Sequence, residues 1–269
     1  MVKIIDLDAL FDSYISDYVY KNVGKVKPEE IENNIPVLYT KFGDEKLKEL
    51  DGLTPNTYYS QFSAEDLLDA LSNHLKSDVS VSDFLCEAII DNNKSSSVIS
   101  KLLDKELEEE FTLYLLNLLS DIGGELPLVR LVEMVLYEDS EPIREVATQI
   151  LGGVADEVKG QILSAFSDSS DLVKADLVDI LSNCDKDERV FKILVDEFTV
   201  HTENLPLYAS YLSKYGDERA LPYLLEAIEN PKISYPDFEE LRFAIESLGG
   251  EYTKQRDFSN DKYYKKIKG

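Results

Sequence analysis

Leu119-Ser120-Asp121-Ile122, Leu151-Gly152-Gly153-Val154, Leu181-Ser182-Asn183-Cys184, Leu212-Ser213-Lys214-Tyr215 and, less completely, Leu248-Gly249-Gly250 repeat one step. A leucine is followed by Gly or Ser, with an apolar or soft residue two places later. The small residues stand at 120, 152, 182, 213 and 249, and a recurrence of this length marks stacked helix pairs. In each step the leucine enters the core and the small residue lets the next helix come close. Such an architecture offers a surface rather than a reaction.

The unit between the first two steps is the clearest. Glu125 to Tyr137 predicts one amphipathic helix, with Leu128, Leu131, Val132, Val135 and Leu136 on its apolar side. A turn follows at Glu138-Asp139-Ser140. Pro142 suits the first position of a second helix, where its missing N–H has no intrahelical partner. That helix continues through Ile143, Val146, Ala147, Ile150 and Leu151 and stops at Gly152-Gly153, where a left-handed residue can close it without a Cβ clash. The plan recurs in Val158 to Phe166 with Leu172 to Leu181, the latter capped by Asp168 or Ser170. It recurs again in Arg189 to Thr199 with Leu205 to Tyr215, and in Arg219 to Ile228 with Phe238 to Leu248. A single pair leaves an apolar face uncovered, so residues 108–250 are expected to fold as one cooperative array.

Ser213-Lys214-Tyr215-Gly216-Asp217-Glu218-Arg219-Ala220-Leu221-Pro222, continuing to Ile228, resembles the linker and first helix of the short HEAT repeats of phycobilisome-lyase-like proteins. Asp139-Ser140-Glu141-Pro142-Ile143-Arg144-Glu145-Val146-Ala147, continuing to Gly152, resembles their second helix. The resemblance spans roughly residues 108–250 and implies an all-α fold, an α-α superhelix or solenoid of helix pairs. Second helices commonly line the concave face of such arrays, which makes Arg144, Glu145, Gln149, Lys174, Asp179, Lys214, Arg242 and Glu246 candidate contacts. Two departures stand out: Ser replaces Gly at three junctions, and Arg144 becomes Lys174 one unit on, with no clear counterpart later. Some proteins with these repeats are di-iron hydroxylases using His-Glu pairs. Here His74 precedes Leu75 and His201 precedes Thr202, so no such ligand set exists, and both read as surface or helix-end residues. The chromophore work of the lyases is not carried by the repeat consensus, so the resemblance transfers no catalytic motif.

The first 107 residues read as a less regular helical cap. Leu7 to Val23, ending at Gly24, has a helical apolar stripe, and a second helix runs from Pro28. Its end, Tyr39-Thr40-Lys41-Phe42-Gly43-Asp44-Glu45, echoes Leu212-Ser213-Lys214-Tyr215-Gly216-Asp217-Glu218 and suggests that the array begins near residue 28. Gly52-Leu53-Thr54-Pro55-Asn56 is turn chemistry. Ser63-Ala64-Glu65-Asp66 resembles a capping box for a helix through Leu75. Further helices are expected at Ser82 to Asp91 and Ser97 to Leu103. Beyond Gly250, residues 251–269 form a basic, aromatic tail: a solvated end, or an intramolecular lid on the acidic face, or a docking peptide for a partner.

Charge narrows the function. The chain carries 53 Asp and Glu against 28 Lys and Arg, a net charge of −25. The first 253 residues hold 51 of those acids and 22 of the bases, a net of −29. A body this negative repels phosphate, so direct nucleic-acid binding is disfavoured and basic protein partners are favoured. No stretch approaches the roughly 20 apolar residues of a membrane span, and the opening residues turn acidic before a signal sequence could form. Cys86 and Cys184 lie in apolar contexts, expected as unpaired thiols of a cytoplasmic protein. The segment Asp91 to Ser96 begins like a calcium loop but has Ser96 and Leu102 where Gly and Glu are required. No P-loop, nucleophile elbow or dinucleotide fingerprint occurs, so no catalytic residue, metal or cofactor is expected. Tyr208, Tyr211, Tyr215, Tyr223 and Tyr235 cluster at the last two pairs, as core and junction residues or as a recognition patch. The expectation is a non-enzymatic interaction module, an adaptor, scaffold or inhibitor, that binds a basic protein. The alternatives are an immunity-type or nucleic-acid-mimicking inhibitor, and a lyase-like protein handling a chromophore or small molecule in a deep pocket among the residues Tyr208 to Tyr235.

Overall fold

The computed structural model describes residues 2–22 and 27–268, and every regular element among them is helical. The chain divides into two compact units, Met1–Pro127 and Leu128–Gly269.

The first unit holds α1 (Leu7–Asn22), α2 (Pro28–Gly43), the short α3 (Pro55–Tyr58), α4 (Ala64–Lys76), α5 (Asp83–Asp91), α6 (Ser95–Leu103) and α7 (Glu109–Ile122). Val23 and Gly24, the expected end of the first helix, lie outside the described residues. Aromatic rings join α1, α2 and α5: Phe11 meets Tyr39 edge-on at 4.9 Å, and Phe42 tilts against Phe84 at 6.3 Å. Helix α4 starts at Ser63, whose hydroxyl accepts the Asp66 N–H at 3.2 Å. The Asp66 carboxylate bonds that same hydroxyl at 2.9 Å, not the Ser63 N–H, so half of the capping box forms. His74 sits in the last turn of α4 as expected of a helix-end residue, yet it is fully buried, with Nδ1 2.8 Å from the Ser80 carbonyl oxygen. Helix α7, which the period puts at the head of the array, packs on α4, α5 and α6.

The second unit holds α8 (Leu128–Tyr137), α9 (Glu141–Gly152), α10 (Ala155–Ala165), α11 (Asp171–Leu181), α12 (Glu188–Val200), α13 (Leu205–Tyr215), α14 (Leu221–Ile228), α15 (Tyr235–Ser247) and α16 (Lys262–Lys268). Helices α8 to α15 form four consecutive pairs, and the second helices also pack side by side, α9 on α11, α11 on α13 and α13 on α15. Ser140, Ser170 and Ser234 cap three of those second helices with hydroxyls that accept the N–H three residues on. Side-chain bonds tie pair to pair. The Asp156 carboxylate accepts the Asp185 N–H, and Arg219 forks Glu188 at 2.8 and 3.0 Å while lying 4.3 Å above the Phe191 ring.

The Leu-small step is structural in the way its pattern predicts at the leucines, since Leu119, Leu151, Leu181, Leu212 and Leu248 are all buried. The small residues divide. A Cβ on Gly152 would stand 3.2 Å from the Asn183 side chain of the next pair, so closeness is real there. Ser182 is buried and its hydroxyl donates to the Asp179 carbonyl at 2.6 Å, whereas Ser120 faces solvent. The expected left-handed closure at Gly152-Gly153 does not occur: Gly153 has φ −69° and its N–H reaches back to the Ile150 carbonyl. Left-handed closure occurs instead at Gly216, with φ 72°.

Candidate functional site

Each second helix carries one side chain four residues past its N-cap, and in the first three pairs that side chain meets the C-terminal end of the first helix. These positions are Arg144, Lys174, Tyr208 and Phe238, counted from Ser140, Ser170, Asn204 and Ser234. The last carbonyls of a helix lack intrahelical donors and attract positive charge. Arg144 answers both needs directly, donating from one guanidinium nitrogen to the Glu138 and Asp139 carbonyls at 3.0 and 3.1 Å and from Nε to Asp176 on α11 at 3.3 Å. Arg144 is only 5% exposed, which takes it off the contact surface proposed for it. Burial outweighs that ion pair for Asp176, whose pKa is raised.

The later pairs carry different chemistry at this position. Lys174 is half-buried, with its ammonium 5.9 Å from the ring of Phe166 at the end of α10 and 3.8 Å from Asp171. Tyr208 is buried and stacks on His201 at 4.8 Å, with 7° between the rings. His201 closes α12, with Nε2 3.1 Å from Glu197 and Nδ1 3.1 Å from Glu203. The Glu203 carboxylate, foremost, raises the His201 pKa against the opposing effect of burial. In the last pair Phe238 is buried and the cation comes from the tail: Arg256 donates to the Ile228 and Asn230 carbonyls at 3.1 and 2.6 Å.

The remaining candidates stay near solvent and lie on adjacent helices. Glu145 and Gln149 are exposed on α9. Asp179 on α11 and Lys214 on α13 form an ion pair at 2.8 Å. On α15, Arg242 is half-buried between Glu239 at 2.9 Å and Glu246 at 3.7 Å. Tyr211 meets Tyr208 edge-on at 5.8 Å, and burial, then the Asp179 carboxylate, push its hydroxyl pKa well up. The structure therefore unites Asp179, Tyr211 and Lys214, ties Arg242 to Glu246, and leaves Glu145 and Gln149 on their own helix. Sequence reasoning passed over Leu172, Leu207 and Phe243, which project from α11, α13 and α15 at 60%, 43% and 66% exposure. Their signal was an apolar residue off the core stripe of its helix.

Among the described residues no group of three or more His, Cys, Asp or Glu side chains is arranged to hold a metal ion. Burial raises the Cys86 and Cys184 thiols to about 11, so both stay protonated and poorly nucleophilic near neutral pH. Of the last tyrosines, Tyr208 and Tyr215 are core residues, and Tyr235 lines a cavity of about 290 Å³ with Phe238, Arg242 and tail residues. No helix among the described residues is long and apolar enough to cross a membrane. No protein-family model, no curated protein and no solved structure matches the chain.

Proposed function

We propose that this protein is a non-enzymatic interaction module of a reducing compartment such as the cytoplasm: an α-α superhelix of HEAT-like pairs that binds a basic protein surface. One observation carries the reading. The neighbouring helices α9, α11, α13 and α15 carry Glu145, Asp179, Lys214 and Glu246 near solvent, and α13 and α15 also carry the exposed apolar side chains Leu207 and Phe243, in a chain of net charge −25. Charge of one sign speeds encounter and selects the partner, while a few desolvated apolar side chains hold it. Thiols held protonated and candidate cations already engaged with carboxylates favour recognition over catalysis.

The test is an affinity capture run in parallel with the native chain and with Glu145→Lys/Gln149→Lys. The native chain is expected to retain a protein with a basic face at low salt and release it at moderate salt, and the variant to retain much less. A partner held equally by both chains, or held regardless of salt, contradicts the reading.

A further inference from the structure

The tail supplies more than charge. Residues 251–258 run without regular structure and lead into α16. Side chains tie the segment to the body: Lys254 and the Tyr252 hydroxyl bond Glu229, Arg256 bonds the Ile228 and Asn230 carbonyls, and Asp261 accepts the Tyr235 N–H at 3.2 Å. Rings complete the contact, with Phe258 5.0 Å from Phe238 and Tyr264 4.9 Å from Tyr235. Tyr252, Arg256, Phe258 and Tyr264 are half-buried, and no side chain described between 251 and 267 is fully buried. This is how a bound peptide sits on a surface, not how a core element sits in a fold.

The body has a vacancy of a defined kind beneath it. In the first pair the guanidinium at the end of the first helix comes from the second helix itself, through Arg144. In the last pair the equivalent position is Phe238, which contributes a ring and no donor; the Asn230 carbonyl already accepts the Ile233 N–H at 3.2 Å, while the Ile228 carbonyl at the end of α14 is met from outside the helix pair. Arg256 meets both, its guanidinium carbon 6.0 Å from the centre of the Phe238 ring.

We propose that the groove on α14 and α15 is a peptide-binding site occupied in cis by the tail. In trans it takes a partner segment of the same chemistry, a basic extended stretch with an arginine two residues ahead of an aromatic. The arginine caps α14, the aromatic packs on Tyr235 and Phe238, and a lysine two residues before the arginine reaches Glu229. The proposal rests on the reading that the acidic array binds basic protein segments, and names one segment and its seat.

The probe is a fluorescein-labelled peptide of residues 251–268, titrated by anisotropy into the native chain and into full-length Arg256→Ala/Phe258→Ala, whose own tail has lost both anchors. Binding at least about tenfold tighter to the variant is expected, along with loss of binding when the peptide itself carries the two substitutions. Equal affinity for the two chains, no binding to either, or equal binding of the two peptides overturns the proposal. Hydrogen exchange on the native chain gives a readout that does not depend on the variant's folding. The amides of Asp261 and Lys265 are expected to open without those of α15; exchange of tail and α15 in one joint opening overturns it. The Glu145→Lys/Gln149→Lys chain, altered on α9 alone, should keep its behaviour toward the peptide, so failure of the groove and failure of the acidic-face reading are told apart.

Discussion

Arg144 and His201 perform one task with different chemistry, and each makes a prediction. Replacing Arg144 by Met removes the donors to Glu138 and Asp139 and leaves the Asp176 carboxylate, already disfavoured by burial, without its cation. Leaving those carbonyls without their donor costs about 1–3 kcal/mol, to be read from urea denaturation midpoints. His201 gains a partner on folding, and the Glu203 carboxylate holds its folded pKa above the ordinary imidazole value of 6.5. Its stabilisation is therefore complete below about pH 6.5 and is lost as pH rises through the higher folded value. Native and His201→Gln chains should differ most in stability at mildly acid pH and converge as pH rises; a difference independent of pH would refute the role given to the imidazole. The sequence named Arg144 but misjudged its setting. Arg144, Ala147, Thr148 and Leu151 fall on one stripe of α9 and are all buried, and that spacing was legible; a charged residue on an apolar stripe was read as surface because burying it requires partners the sequence does not display.

At the scale of elements, the apolar period located the helices and the small residues located their ends, but not how each end closes. Gly43 and Gly216 occupy matching positions in two echoing phrases, yet Gly43 is the last residue of α2 and Gly216 is a left-handed cap. Gly216→Ala should destabilise by about 1 kcal/mol through backbone strain, and Gly216→Asn by less. Gly43→Ala acts by another route, since its Cβ would lie 2.7 Å from the amide oxygen of the exposed Asn56 and would turn that side chain away from Asp44, which it bonds at 3.0 Å. Adding Asn56→Ala should relieve Gly43→Ala and leave Gly216→Ala unchanged, a coupling measurable in a double-mutant cycle. Local sequence could not separate the two, because the difference lies in Asn56, a contact thirteen residues away.

For the whole molecule, composition displays the charge and hides where the tail lies. Net charge was plain, and so was the contrast between the acidic body and the basic tail. Unforeseen was that the tail completes the last helix pair, since the role of Arg256 shows only when Phe238 is seen to stand where Arg144 stands six helices earlier in the second unit. Likewise the exposed Phe243 and Leu207 gain meaning only once α13 and α15 lie side by side. An acidic surface that recruits by charge and holds by a few apolar side chains has a definite salt response. The most direct measurement is the affinity of the captured partner for the native chain between about 50 and 200 mM salt, a range over which the Debye length falls from roughly 14 to 7 Å. The account predicts that affinity falls about tenfold or more across that range, and that Glu145→Lys/Gln149→Lys flattens the slope. A partner bound equally tightly at both ends of the range, by both chains, would contradict it.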